Sequence, residues 1–348
     1  MIDPKNKKIA VLSPVAWRTP PRQYGAWETV ASNVTEGLVA RGWDVTLYAT
    51  GDSVTKGRLR SVVSRGYEED KSIDPKVAEY LHISAMMESA EEFDLIHNHF
   101  DFMPLTYSRL ISTPIVTTIH GFSSDAIRPV YRKYHDGHFV SISDADRDEE
   151  LNYVATVHNG IDLNLHDYFE QPGESLVFLG RIHPDKGVHL AIETAKRSDR
   201  DLILAGIIQD EEYFGTQIEP WIDGDKIRYI GPVGPDERNS LFRKAYAVLH
   251  LNLLDERFGL VLAEANASGV PVIAMDRGSC REVIRDGVTG FLVRDVDEAV
   301  EALLRVPSIS RKACRDHVVA HFSIEKMTEK YVRVYERTLR GSFENTRR

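Results

Sequence analysis

Short apolar runs rich in β-branched residues alternate with helix-period segments along most of the chain. In the first half, KKIAVLS (7–13) and DVTLYAT (44–50) flank WETVASNVTEGLVARG, where Trp27, Val30, Ala31, Val34 and Leu38 fall near helical spacing. Gly42 fits the end of that helix. DLIHNH (94–99), PIVTTIHG (114–121), HFVSIS (138–143) and ATVHNGI (155–161) continue the series of expected strands. β runs separated by helical segments predict a parallel sheet with crossovers.

The rhythm restarts after the polar stretch DYFEQPGES (167–175). LVFLGR (176–181), DLILAGI (201–207), IRYIGPV (227–233), AVLHLNLL (247–254), VPVIAM (270–275) and GFLV (290–293) predict a second set of strands. The pattern therefore predicts an α/β protein of two doubly wound domains, residues 1–165 and 172–322, facing across a cleft. A closing helix over about 323–345 is expected to cross back onto the first domain. In such folds the loops after the strands carry the chemistry, and the cleft is the expected site.

Composition narrows the class. The 348 residues carry 43 Lys and Arg against 53 Asp and Glu, a formal net charge of −10, which argues against non-specific nucleic-acid binding. Two cysteines cannot build a disulfide framework, and no CxxC suggests zinc, so a reducing cytoplasm is the expected home. The opening residues lack the architecture of a signal peptide, and no apolar window approaches the roughly 18–20 residues that span a bilayer. Peripheral membrane contact stays open. The expected assembly is a monomer or homodimer.

Two loops hold the candidate chemistry. RIHPDKG places Arg181 and Lys186 between a strand and a helix, where a guanidinium, an ammonium and helix-end N–H groups form an anion site. The bland alternative is two solvated surface cations. LDERFGLVLAEANASGVPVIA (254–274) sets Glu256 and Glu264 eight positions apart among apolar residues, a costly arrangement unless each carboxylate is paired. Phe258, Gly259 and Leu260 would form the first turn of a helix with free N–H groups. Two carboxylates around an anion-binding helix end suit a nucleoside diphosphate sugar. A capping Glu256 and an arginine-paired Glu264 fit equally well.

These segments taken in order resemble the family-four retaining glycosyltransferases of GT-B fold, which have two Rossmann-like domains. The resemblance rests on ERFGLVLAE with ASGVPVIA behind it, on GRIHPDKG upstream, and on NGID (159–162), TTIHG, DLIHNH and GFLV. It implies that the first domain binds the acceptor and the second the nucleotide sugar. It implies that Glu264 bonds the ribose hydroxyls. Glu256 would hold hydroxyls of the donor sugar, helped by the backbone N–H groups of Phe258, Gly259 and Leu260. Arg181 and Lys186 would bind the diphosphate. His120 would stand near the donor, the alternative being a core histidine bonded to backbone. YIGPVGPDE (229–237), with Ile230 and Val233, would line the base pocket. Transfer of a hexose, best glucose, from a UDP-sugar, or alternatively a GDP-sugar, is the implied reaction, with retention, no protein nucleophile, no cofactor and no obligatory metal. The acceptor would be a small molecule or glycan. A sugar-nucleotide epimerase or hydrolase, or a non-catalytic sugar-nucleotide-binding protein, are the competing readings.

The opening SPVAWRTPPRQYGAWE is similar, more weakly, to a subgroup that includes UDP-glucose-dependent pteridine glucosyltransferases. Gly25 matches one of the family's two glycines near the donor phosphate, and Tyr24 replaces the other. Trp17, Arg18, Arg22 and Tyr24, with His99, are the acceptor-side candidates; a rigid surface loop packing Trp17 is the alternative. His97 and His99 fall on one side of a strand, but lack an evident third ligand for a metal. The acidic triplets DAD (144–146) and DVD (295–297) are expected to be helix starts, SIS (141–143) a strand end and helix cap, and 144–150 a solvated helix face. The first domain shows no conspicuous basic amphipathic helix, which disfavours a lipid acceptor.

Overall fold

A computed structural model describes residues 7–121 and 125–345 of the chain, with side chains to residue 340. It divides into two compact units, one of Met1–Gly160 with Ile324–Arg348 and one of Ile161–Ser323. The division falls inside NGID.

The first unit is built on seven parallel strands: β1 (Lys8–Leu12), β2 (Asp44–Tyr48), β3 (Arg58–Arg60), β4 (Leu95–Asn98), β5 (Ile115–Ile119), β6 (His138–Ser141) and β7 (Tyr153–Thr156). Their order across the sheet is β3-β2-β1-β4-β5-β6-β7. Every residue of β4 and β5 is buried, as befits strands covered on both faces. The order reverses between β1 and β4, so the loops after those two strands flank the crevice of the sheet.

Helix Ala26–Ala40 follows β1 and buries Val30, Ala31, Val34 and Leu38 along one stripe. Gly42, at φ 82, ends it, and the Trp43 N–H returns to the Leu38 carbonyl at 3.1 Å. The long helix Ile324–Asn345 belongs to this unit. Gly37 is its point of closest approach to helix Ala26–Ala40. A Cβ there would overlap the Thr328 hydroxyl and lie 2.8 Å from Ile324 Cγ2.

The second unit carries β8 (Ser175–Leu179), β9 (Leu202–Ala205), β10 (Ile227–Tyr229), β11 (Ala245–His250), β12 (Val272–Met275) and β13 (Gly290–Val293). They are parallel, in the order β10-β9-β8-β11-β12-β13, and reverse between β8 and β11. Both units are thus Rossmann-like.

Several expectations are corrected. β3 was not foreseen, because its sequence RLR is charged on both sides of one leucine and sits at the exposed edge. IRYIGPV stops being strand at Tyr229 and AVLHLNLL at His250; Leu253 and Leu254 are exposed in a loop despite their apolarity. DVD does start a helix, Val296–Arg305, with Asp295 accepting the Glu298 N–H at 2.9 Å. DAD does not. Residues 144–150 form turns, and no helix follows SIS. Their charges are tied instead to a neighbouring helix, Arg128–Lys133: Arg128 pairs with Asp148 and Arg132 with Glu150. Among the described residues no helix is long and apolar enough to cross a membrane.

The Gly37 contact predicts the outcome of filling it. Gly37→Leu should destabilise the protein by about 1–3 kcal/mol through overpacking, read as a lowered urea midpoint; an unchanged midpoint would mean that the two helices part freely there.

Candidate functional site

In the second unit the loops after β8 and β11 flank the point where strand order reverses. They are laid directly on one another. Gly187, at φ 62, joins the short turn Pro184–Lys186 to helix Val188–Arg197, and a Cβ there would overlap the Leu251 carbonyl oxygen. The Leu253 N–H donates to the Asp185 carbonyl at 2.8 Å. The loop after β12 closes the arrangement from the other side: the Ser279 N–H donates to the Glu256 carbonyl at 2.9 Å. A Cβ on Gly278 would overlap that same carbonyl oxygen.

This packing brings Lys186, His250, Asn252 and Glu256 together. Glu256 Oε2 accepts from Lys186 Nζ at 2.8 Å, from His250 Nε2 at 2.8 Å and from the Asn252 side-chain amide. Oε1 accepts the Arg257 N–H at 3.1 Å. Burial alone would raise the pKa of Glu256, but the His250 hydrogen bond and the Lys186 charge outweigh it and hold the carboxyl well below the usual range. Glu256 is therefore an anion whose charge Lys186 already balances. Lysine has three donors, so Lys186 keeps capacity for a second acceptor.

Arg181 behaves differently. Its side chain is partly exposed and donates to the Gln209 side-chain oxygen. Among the described residues no carboxylate pairs with it. A cation that no carboxylate pairs with among the described residues thus shares the loop after β8 with Lys186, which Glu256 neutralises.

Gly259, at φ 77, caps helix Leu260–Ala267 without a side chain. The Phe258 ring is buried and meets Phe322 edge-on at 5.8 Å, so this side chain serves the core. Glu264 lies in that helix, 6% exposed, and accepts from Arg238 Nη1 at 2.5 Å. Helix Pro235–Arg243 delivers Arg238. Both glutamates thus have cationic partners within the unit. Ile230 is exposed and Val233 buried, and the Ile230 N–H is already used by the Leu204 carbonyl at 3.0 Å.

In the first unit, Gly25 precedes helix Ala26–Ala40 at φ 144, packed against Pro21 and Glu28. The loop from β1 to Gly25 is pinned. Thr19 bonds Ser13 at 2.7 Å and Ser53 at 2.8 Å, and Trp17 meets Tyr24 edge-on at 5.9 Å. The Arg22 guanidinium spans Asp52 and Glu69, and the Arg18 side chain bonds the Pro20 carbonyl. His120 lies beyond β5, 8% exposed, stacked on Trp27 at 5.4 Å. Its Nε2 bonds His99 Nδ1 at 2.9 Å, and His99 Nε2 faces His97 Nδ1 at 3.3 Å. The three imidazoles bond in series through His99. Among the described residues, no group of three or more His, Cys, Asp or Glu could hold a metal ion.

Sequence reasoning missed His250, Asn252, Arg238 and Gln209. His250 and Asn252 were visible only as the polar interruptions of AVLHLNLL. Arg238 lies 26 positions from Glu264 on another helix, and no spacing rule links them. Glu28 was also missed; it is 3% exposed and accepts the Trp17 N–H at 3.3 Å.

Burial raises Glu28 from 4.5 to about 7. The folded chain therefore holds a proton that the unfolded chain releases between those values. Its contribution to stability is fullest below pH 4.5 and is lost as pH rises through about 7. Glu28→Gln should remove that decline, gaining up to about 3 kcal/mol over the parent at pH 8 and little at pH 4.5. Urea unfolding at the two pH values checks this; a difference independent of pH would contradict it.

With this geometry in hand, the similarities are informative. Residues 27–165 match the family described as Glycosyltransferase Family 4, and residues 169–315 the family described as Glycosyl transferases group 1. The phosphatidyl-myo-inositol mannosyltransferase of Mycobacterium leprae is 26% identical over 278 residues, covering 70% of this chain and 74% of that protein. The D-inositol 3-phosphate glycosyltransferase of Nocardia farcinica is 27% identical, covering 87% of this chain and 83% of its own. The crystal structure of Anabaena Alr3699/HepE in complex with UDP and glucose superposes with a TM-score of 0.74 at 17% identity, covering 95% of this chain and 100% of that one. Two Rossmann-like units and matches to both halves have one reading: the chain belongs to the family-four glycosyltransferases of GT-B fold, which use a nucleotide sugar.

Proposed function

We propose that the enzyme transfers a hexose, glucose first, from UDP-sugar to a hydroxyl of a small-molecule or glycan acceptor, with retention at the anomeric carbon. The observation that carries this is Arg181, a guanidinium that among the described residues has no carboxylate partner, after the strand where the fold offers its ligand crevice. A diphosphate would supply the missing anion. Lys186 adds its remaining donors, and Glu256 keeps Lys186 in place while staying ionised. The N–H groups opening helix Leu260–Ala267 add positive potential on the same side.

The chemistry then needs little acid at the leaving group. The bond from the anomeric carbon to the diphosphate oxygen breaks as the acceptor oxygen bonds that carbon on the same face. The acceptor proton passes to the departing phosphate oxygen. No protein nucleophile and no metal takes part in this scheme. Glu264, with Arg238, is proposed for the ribose hydroxyls, and the segment around Ile230 and Val233 for the base. Trp17 and Tyr24 would meet the acceptor. Two buried free cysteines, Cys280 and Cys314, fit a reducing cytoplasm. A glucose-binding Anabaena relative in fold favours glucose; the mannosyltransferase name of the Mycobacterium leprae relative makes mannose the second reading.

Arg181→Ala should lower kcat by roughly 10²–10³-fold with the melting temperature unchanged, as for loss of one preorganised donor to developing charge. Full activity in that variant would refute the phosphate role. Proton NMR of the fresh product should show the anomeric configuration of the donor, and an inverted product would rule out the same-face scheme.

A further inference from the structure

The imidazoles of His120, His99 and His97 lie in series inside the first unit, and the series ends on helix Ile324–Asn345. His97 Nε2 bonds the Thr118 hydroxyl at 2.8 Å, and Thr118 bonds the Tyr331 hydroxyl at 2.8 Å. The Tyr335 hydroxyl lies 2.7 Å from His97 Nδ1. Tyr331 and Tyr335 are both fully buried. Burial holds His97 and His120 down at about 3 and His99 well below its ordinary value, so each ring is neutral and carries one proton.

One proton per ring makes the series directional. A buried hydroxyl proton needs an acceptor. Among the described residues, His97 Nδ1 is the acceptor within reach of Tyr335. His97 Nδ1 is therefore bare, and its proton sits on Nε2, donated to Thr118. His99 Nε2 faces that same bare nitrogen. Two bare nitrogens in contact would repel, so His99 carries its proton on Nε2; sharing one lone pair with Tyr335 accounts for the longer 3.3 Å separation. His99 Nδ1 is then bare and accepts the proton on His120 Nε2 at 2.9 Å. Only Nδ1 of His120 remains, and it too is bare.

We propose that Tyr335, His97 and His99 are positioning residues that lock His120 as the Nε2–H tautomer, so that its Nδ1 accepts a hydrogen bond from a sugar hydroxyl of the substrate. The substrate half of this rests on the reading that His120 meets substrate. The consequence is selective. A bare nitrogen attracts a hydroxyl and repels a phosphate oxygen, so His120 would take a sugar hydroxyl and not a phosphate.

Long-range proton–nitrogen NMR of the full chain labelled with 15N-histidine tests it, His120 being assigned by the signal missing from His120→Ala. The wild type should show a protonated Nε2 and a bare Nδ1 on His120. Tyr335→Phe should move that signal toward the other tautomer, whereas Tyr331→Phe, which leaves the Tyr335 donor in place, should not. A protonated Nδ1 in the wild type overturns the proposal without need of any variant, and so does a folded Tyr335→Phe with an unmoved signal. Kinetics separate the substrate half: His120→Ala should lose roughly three- to tenfold in kcat/KM, the worth of one neutral hydrogen bond. Unchanged kinetics beside the expected spectra would overturn the hydroxyl contact and the role given to His120, while the tautomer lock stood.

Discussion

Oxygen Oε2 of Glu256 receives a lysine, a histidine and an asparagine at once, and the second unit's loops are arranged around that convergence. The three donors come from the loop after β8, the last residue of β11 and the loop after β11. Such a carboxylate would be expensive to bury unpaired. Paired as it is, it joins the two loops that flank the crevice, while Gly278 and Ser279 clamp its backbone from a third. In the proposed function this pairing would hold Lys186 in position before any ligand arrives, which is what stabilisation of developing charge requires. Lys186 is balanced inside the protein, whereas among the described residues no carboxylate pairs with Arg181.

The first unit uses neutral groups where the second uses charged ones. Its three histidines are buried among aromatic side chains, and their protons are ordered by hydrogen bonds instead of counter-ions. The tyrosines that end this series belong to a helix more than two hundred positions away in the chain. Close contact at Gly37 holds that helix against the one following β1. The closing segment of the chain thereby reaches residues of β4 and β5.

Much of this was legible in the sequence because strands buried on both faces, such as β8 and β12, read as apolar runs. β3 did not, and ATVHNGI places β7 too late, since Tyr153–Thr156 are only half-buried and carry a weaker apolar signal. Arg181, Lys186, Glu256 and Glu264 were visible as charges in loops or apolar surroundings that demanded a partner. The partners themselves were not. His250, Arg238, Tyr331 and Tyr335 act through contacts set by the tertiary fold, and a polar residue within an apolar run does not announce which oxygen it will reach. The acidic segment 144–150 misled for a related reason: its charges resemble a solvated helix, but arginines of another helix capture them and leave the backbone in turns.

The central claim is that the second unit offers a prearranged cationic site for the diphosphate of a nucleotide sugar. A thermal-shift panel of UDP-, GDP-, ADP- and dTDP-sugars, run with and without EDTA, tests it most directly. A ligand that binds only the folded state stabilises it by about 2.7 kcal/mol at a hundredfold excess over Kd. The expected result is a selective rise in melting temperature with UDP-sugars that EDTA leaves unchanged and Arg181→Ala abolishes. No shift with any nucleotide sugar, or an equal shift in Arg181→Ala, would contradict it.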